Sequence, residues 1–205
     1  VYEYLGRAYK TNTNQRAYDL QMSADDCAAR PAGRVMKIMG DGSGPACVGM
    51  LMMRLEPFDV TKVRAEEKDH FKKEMLRLVV KLHKEYGIVH GNIKPENFLR
   101  CADGTLRLCD FDCARFSNGD VDGWEVGSQE YMSPNRTLSI PTTDDDIYAL
   151  GLSIFSLYTG KAGDFFPGED VEEVRKAKRT VDVMQISCPE TRLTVKMCLR
   201  QGGVV

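Results

Sequence analysis

The feature that most constrains the fold of this chain is a change in the periodicity of its apolar residues near residue 65. Before that point, short apolar runs alternate with turn residues, which is typical of strands. After it, apolar residues recur at helical spacing with charged residues between them, which predicts a long amphipathic helix. Its apolar residues are Phe71, Met75, Leu78, Val79 and Leu82. The change predicts an α+β fold in which a small β-rich part is followed by a larger helical part.

Smaller elements follow from the same patterns and from the turn residues. In the β-rich part we expect a strand, a helix stopped by Pro31, and a hairpin. These elements cover residues 1–9, 15–29, and 35–40 with 47–55. In the helical part we expect two short strands joined by a tight turn, and later an apolar helix that is buried on several sides. They cover residues 97–100, 106–109 and 145–159.

Composition and charge exclude several classes of function. Lys and Arg number 28 against 30 Asp and Glu, a net charge of −2, which does not favour a general nucleic-acid or anionic-membrane surface. The apolar runs at residues 46–53 and 149–152 are too short to cross a bilayer, so we expect no transmembrane segment. The seven cysteines show no C-x-x-C spacing and the three histidines are scattered, which argues against a zinc site. The cysteine content leaves secretion open.

Two polar motifs on either side of the short strand pair carry the candidate chemistry. The first reads His-Gly-Asn-Ile-Lys-Pro-Glu-Asn at residues 90–97, and the second reads Asp-Phe-Asp at residues 110–112. In order and spacing they resemble the catalytic loop, H-R-D-L-x-x-x-N, and the metal-binding D-F-G motif of the protein kinase family. Residues 127–134, 146–151 and 188–192 resemble the end of an activation segment, the buried helix after it, and a late arginine motif. The resemblance implies a single bilobal protein-kinase-like domain, with a reduced N-lobe over residues 1–56 and a mainly helical C-lobe over residues 57–205.

The same resemblance assigns roles to single residues. Phosphoryl transfer in kinases depends on positioning and on neutralising charge. Lys94 matches the loop lysine that contacts the transferred phosphate, and Asn97 and Asp110 match the two metal ligands. Asn92 stands where the family has its catalytic Asp, and an amide cannot accept a proton as a carboxylate does. The catalytic position is therefore degenerate, and the metal positions are interpreted as vestigial.

Further departures surround these motifs. Gly91 replaces the arginine that reads activation-loop phosphate, and Asp112 replaces the glycine of D-F-G. The added carboxylate is expected to repel ATP. Asn135 replaces the Glu that pairs with the late arginine, so Arg192 needs another partner.

The N-terminal lobe departs further from the family. Counting back from a hinge near residues 55–57, Arg7 or Lys10 lies at the strand-lysine position, and Asp19 or Asp25 at the position of the helix acid. Arg7, Lys10 and Asp19 are therefore the candidate, vestigial ATP-site residues.

A second register of the N-terminal lobe places residues 35–38, Val-Met-Lys-Ile, on the lysine strand. That register leaves no room for a helix before the hinge. In neither register do the 205 residues contain G-x-G-x-x-G, so we expect the phosphate-covering loop to be absent.

The sequence lacks this loop, has H-G-N in place of H-R-D, and has D-F-D in place of D-F-G. In these features it resembles the With-No-Gly-loop branch of the rhoptry-type kinases of coccidian parasites such as Toxoplasma. The loss of the catalytic Asp is most similar to a bradyzoite-stage pseudokinase of that branch. The resemblance implies a secreted protein of the parasitophorous vacuole or cyst wall.

The expected function is that of a catalytically inactive pseudokinase, which serves as a scaffold or allosteric protein-binding domain without a cofactor. Its protein partner is unknown, and the surface around residues 124–131, with Trp124 and Tyr131, is the expected contact. The alternative is a divergent active Ser/Thr protein kinase that uses ATP and Mg²⁺, with Asn92, natural or engineered, in place of the Asp. A nucleotide-binding switch without catalysis is a further alternative.

Overall fold

The computed structural model describes residues 2–4, 7–11, 15–38, 45–119, 127–136, 140–161 and 171–203. Within these ranges a four-stranded sheet and one helix form the N-terminal part, and helices dominate the remainder. The expected α+β architecture is confirmed. A short strand, β5 (Glu56–Pro57) in the numbering used below, falls at the expected boundary between the lobes, which itself stays a prediction.

The N-terminal sheet positions the first candidate residue of the site. Its strands are β1 (Tyr2–Tyr4), β2 (Arg7–Thr11), β3 (Pro31–Ile38) and β4 (Pro45–Met53). Neighbouring strands are antiparallel and lie in the order β1-β2-β4-β3. Lys10 pairs with Met50 across the β2–β4 ladder, and Met50 is fully buried. Because directly opposed residues share a face of the sheet, the Lys10 side chain lies on the covered face.

The helix between β2 and β3 is shorter than predicted. Helix α1 covers Gln15–Ser23, and a 3-10 turn at Asp25–Cys27 replaces its expected second half. Asp25 has a φ of +33°, which an α-helix does not accommodate. Pro31 does not end a helix but opens β3, where the missing N–H is tolerated because β3 is an edge strand.

The C-terminal part is built around one buried helix. Its helices are α2 (Lys68–Lys84), α3 (Thr143–Thr159), α4 (Val171–Lys178) and α5 (Pro189–Gln201). The apolar residues predicted to form one face of α2 are all at most 1% exposed. Helix α3 packs against both α2 and α5, which explains why it is apolar around most of its circumference. Among the described residues, no helix is long and apolar enough to cross a membrane.

Short strands bring the two polar motifs together. Strands β7 (Phe98–Arg100) and β8 (Leu106–Leu108) form the expected hairpin, to which β5 adds a third strand. A separate pair joins β6 (Ile88–Val89) to β9 (Arg115–Phe116). The N–H of Cys109 donates to the carbonyl oxygen of Asn97 at 2.9 Å. The end of the first motif and the start of the second are therefore neighbours in space.

Candidate functional site

A buried carboxylate on α3 anchors the loop of residues 90–97. Asp146, 1% exposed, accepts hydrogen bonds from the backbone N–H groups of His90 at 2.7 Å and Gly91 at 2.8 Å. The His83 ring nitrogen lies 2.9 Å from the same carboxylate. Buried acceptors of this kind are costly to leave unpaired, so the loop and α3 hold each other in position.

His90 has a packing role. Its ring is fully buried, lies 4.8 Å from the ring of Phe111, and has its Nε2 atom 3.0 Å from the carbonyl oxygen of Cys109. Burial lowers the pKa of His90 and favours the neutral ring. The ring thus connects the two motifs and does not face the cleft as an acid or base.

Gly91 has a conformational role that the sequence comparison with kinases did not predict. Its φ is +74°, a left-handed conformation, and a Cβ atom there would lie 2.6 Å from the carbonyl oxygen of Cys113. Gly127 packs from the other side, where a Cβ atom would lie 2.4 Å from the carbonyl oxygen of Gly91. Any side chain at position 91 would be strained and would clash with the backbone. The position therefore requires glycine, and not simply any residue other than arginine.

Lys10 and the Asp-Phe-Asp motif form an ion-paired cluster. The Lys10 ammonium contacts Oδ1 of Asp110 and lies 2.6 Å from Oδ2 of Asp112. Burial lowers the pKa of Lys10, but the two carboxylates outweigh burial and raise it above its usual value. Burial raises the pKa of Asp110, and Lys10 more than offsets this, so the pKa lies below its usual value. Lys10 and Asp110 are thus held charged.

Asn92 fills the space between Asp110 and the segment near Ser128. Its Nδ2 donates to Oδ2 of Asp110 at 3.2 Å, and its Oδ1 accepts the N–H of Ser128 at 3.0 Å. The Lys94 ammonium donates to the Ser128 hydroxyl at 2.7 Å. Both ends of the Asn92 amide are thus used within the protein, and Lys94 is directed to the same serine.

The two positions that match the family's metal ligands are engaged within the protein. One oxygen of Asp110 contacts the Lys10 ammonium and the other accepts the Asn92 amide N–H, so a divalent cation would have to compete with both groups. Asn97, 5% exposed, donates its Nδ2 to the carbonyl oxygen of Asn92 at 2.7 Å. Across the described ranges, no group of three or more His, Cys, Asp or Glu side chains could hold a metal ion.

Neither candidate for the position of the helix acid lies beside Lys10 in the described structure. Asp19 is exposed and accepts from Gln15, and Asp25 is exposed beside Arg30, so neither is paired with Lys10 in the described structure. The inward positions of α1 are taken by Ala17, Leu20 and Gln21. The backbone of Arg7 lies in β2, but its side chain is outside the described residues.

The register that places Lys10 near the motif agrees with the structure, since Lys10 reaches Asp110 and Asp112. In the other register Lys37 would hold that position, yet Lys37 is exposed on β3, after α1. The pairing with Asp112 itself was missed. The sequence signal for this pairing was the acidic residue in place of the D-F-G glycine. That residue was interpreted only as a charge that repels ATP.

The segment after residue 127 also differs from expectation. Tyr131 is 3% exposed and cannot serve as a surface anchor, and Trp124 lies outside the described residues. The Asn135 Oδ1 atom accepts from Arg179 at 3.0 Å. Arg192, expected to need a substitute partner, has its Nη1 atom 3.9 Å from the sulfur of Met184. Lys178, the last residue of α4, donates to the carbonyl oxygens of Gln129 and Met132, which attaches this segment to α4.

Comparisons with known proteins agree with the motifs. The family model described as "Protein kinase domain" matches residues 36–201. The chain is 34% identical over 83 residues to "MAP kinase kinase mkk-4" of Caenorhabditis elegans, covering 39% of this chain and 23% of that protein. It is 28% identical over 134 residues to "Serine/threonine-protein kinase PEPKR2" of Arabidopsis thaliana, covering 62% of this chain and 28% of that protein.

A solved structure supports the fold. The chain resembles the Cydia pomonella granulovirus kinase PK-1 with a TM-score of 0.70 and 17% identity, over 94% of this chain and 76% of that one. At this identity the likeness establishes the kinase-like fold alone. The chain spans only about a quarter of the length of the two curated relatives.

Proposed function

Because this chain belongs to the protein kinase domain family, we propose that it is a kinase-fold domain that does not transfer phosphate and acts by binding a protein. The observation that carries the proposal is the arrangement of Asn92. Its amide nitrogen faces Asp110 and its amide oxygen accepts from the Ser128 N–H. No basic atom remains on this side chain to take a proton from an incoming hydroxyl group.

The surroundings of Asn92 suit an amide better than a carboxylate. The Asn92 nitrogen lies 3.2 Å from Oδ2 of Asp110, so an Asp at position 92 would set two carboxylate oxygens at that distance. Like charges so close repel strongly unless a cation separates them. The proposal depends on this geometry and not on the absence of a glycine-rich loop.

We propose that the domain functions without a nucleotide or metal cofactor. Lys10 and Asp110 neutralise one another, and both oxygens of Asp110 are engaged. The intact anchoring of the loop by Asp146 supports a retained structural function, since the packing is kept where the reactive group is lost. The partner is a protein of unknown identity.

The alternative is an active Ser/Thr protein kinase. In its favour, Lys10, Lys94, Asn97 and Asp110 are all present near the cleft, and similar proteins carry the names of Ser/Thr and MAP kinase kinases. In this case ATP and Mg²⁺ would be required, and Asp110 would have to exchange its present partners for the metal.

A phosphotransfer assay with radiolabelled ATP and Mg²⁺ separates these functions. We expect the wild type to phosphorylate neither itself nor a general protein substrate above the level of Asp110→Ala. Loss of a catalytic base lowers rates by about 10²–10⁴-fold. Magnesium-dependent phosphorylation that Asp110→Ala abolishes would overturn the proposal. Activity gained by Asn92→Asp alone would show that the remaining site is competent and that Asn92 is what silences it.

We also propose, from the sequence resemblance alone, that the chain belongs to the With-No-Gly-loop branch and is secreted to the parasitophorous vacuole or cyst wall. Immunofluorescence of the epitope-tagged full-length protein in infected host cells tests this. Signal retained in the parasite cytosol would contradict it.

A further inference from the structure

The Lys10 ammonium is held between two carboxylates in a largely covered position. It contacts Asp110 and lies 2.6 Å from Oδ2 of Asp112, and the exposed fractions of the Lys10 and Asp112 side chains are 15% and 16%. One positive charge is thus matched by two negative charges. Little of the ammonium remains available to an anionic group that enters the cleft.

The backbone that carries Asp112 is fixed by packing on both sides. Asp112 sits in a 3-10 turn, Phe111–Cys113, whose two flanking side chains are buried. The N–H of Ala114 closes this turn on the carbonyl oxygen of Phe111 at 3.0 Å. Arg16 on α1 donates to the carbonyl oxygen of Ala114 at 2.8 Å, so α1 is tied to the same turn. The carboxylate is therefore placed on Lys10 by rigid structure.

From this arrangement we infer that Asp112 is a built-in competitor for phosphate: its carboxylate occupies the place on Lys10 that a nucleotide phosphate group would need. It also serves as the second counter-ion of Lys10, a position that neither Asp19 on α1 nor Asp25 in the following 3-10 turn takes in the described structure, since both are exposed. The ligand class that Asp112 excludes is the polyphosphate of a nucleotide. The inference holds whether or not the domain transfers phosphate.

Two charge contributions lead to this exclusion. A phosphate approaching Lys10 must displace the hydrogen bond from Asp112, and it must also approach that carboxylate, a like charge. Removing the charge at position 112 leaves Lys10 with Asp110 alone. Adenosine carries no phosphate, so its affinity should not change when this charge is removed.

The test measures the affinities of ATP and adenosine by calorimetry in EDTA for the wild type, Asp112→Asn and Asp112→Gly. We expect both variants to bind ATP about 10- to 100-fold more tightly than the wild type, the range expected when one charge-assisted hydrogen bond no longer competes. Adenosine affinity should not change. The matched control Asp19→Asn removes one exposed carboxylate and should leave ATP affinity as in the wild type.

A variant of Lys10, combined with Asp112→Asn, gives a second reading. Lys10→Met should abolish the gain in ATP affinity that Asp112→Asn produces, because no ammonium then remains for the phosphate to reach. Equal ATP affinity of the wild type and a folded Asp112 variant would overturn the inference, as would an undiminished gain from Asp112→Asn in the Lys10→Met background. Tight ATP binding by the wild type would instead count against the cofactor-free proposal above, so the two failures are distinguishable.

Discussion

The loop of residues 90–97 and the cleft face of the N-terminal sheet depart from the kinase pattern in different ways. In the loop the backbone is held by Asp146 as a unit, Asn92 takes the place of the reactive Asp, and Gly91 takes the place of the arginine. On the sheet face the lysine remains, but its partner comes from the Asp-Phe-Asp motif and not from α1. A loop whose backbone is rigidly anchored can therefore lose its reactive group and keep its conformation. A lysine whose partner lies in the other lobe can instead change that partner.

The largest effect that tests this difference should come from the anchor. Asp146→Ala removes the buried acceptor of two backbone N–H groups and the partner of His83. We expect the free energy of unfolding to fall by about 3–5 kcal/mol, measured by urea denaturation. The matched variant Asp144→Ala, on the exposed side of the same helix, should cost less than about 1 kcal/mol. If the two variants lower the free energy of unfolding equally, Asp146 is not the group that holds the loop.

A second prediction compares two glycines that share a conformation. Gly91 and Gly160 have φ values of +74° and +71°, but only Gly91 has neighbours within reach of a Cβ atom. Gly160→Ala should cost about 1–2 kcal/mol for the left-handed conformation alone. Gly91→Ala should cost about 1–3 kcal/mol more because Cys113 obstructs the new methyl group. If the two free energies of unfolding agree, the loop is less tightly packed than the structure shows.

The cleft should respond to acid through Asp110. The lowered pKa of Asp110 means that its stabilisation is complete above the pKa of an unfolded Asp, about 3.9, and is lost as the pH falls through the folded value. Wild type and Asp110→Asn should differ in free energy of unfolding by about 1 kcal/mol near neutral pH. The two curves should converge below about pH 4. A gap that stays constant through this range would show that Asp110 is not held charged by Lys10.

The smallest effect concerns thiol reactivity and needs no substitution. Burial raises the pKa of Cys109, beside the cleft, to about 12, whereas a hydrogen bond from the Thr191 side chain lowers the pKa of Cys188. Since the thiolate is the reactive form, iodoacetamide at about pH 8 should modify Cys188 well before Cys109. Peptide mass spectrometry reads the order. Modification of Cys109 at the same rate would show that the cleft opens readily.

Much of the C-terminal part could be predicted because its signals are local. The helical spacing of Phe71, Met75 and Leu78 predicted a buried face, and these residues are buried at 1% or less. The apolar helix before Gly160 and the β7–β8 hairpin were found in the same way, within a residue or two of their bounds. The end of α1 was missed because a strained residue, Asp25, breaks the helix before Pro31.

The α+β class, the order of the motifs and the identity of the reactive positions can be derived from the sequence, because they depend on residue type and on short-range spacing. Which carboxylate meets Lys10 depends on contacts across 100 and 102 residues of chain, and the packing of distant segments settles it. Helix α1 buries Ala17 and Leu20 and so turns Asp19 to solvent, while the packed Phe111 turn presents Asp112 to the lysine. An ion pair between distant segments has no periodic signal, because it is set by how rigid elements pack.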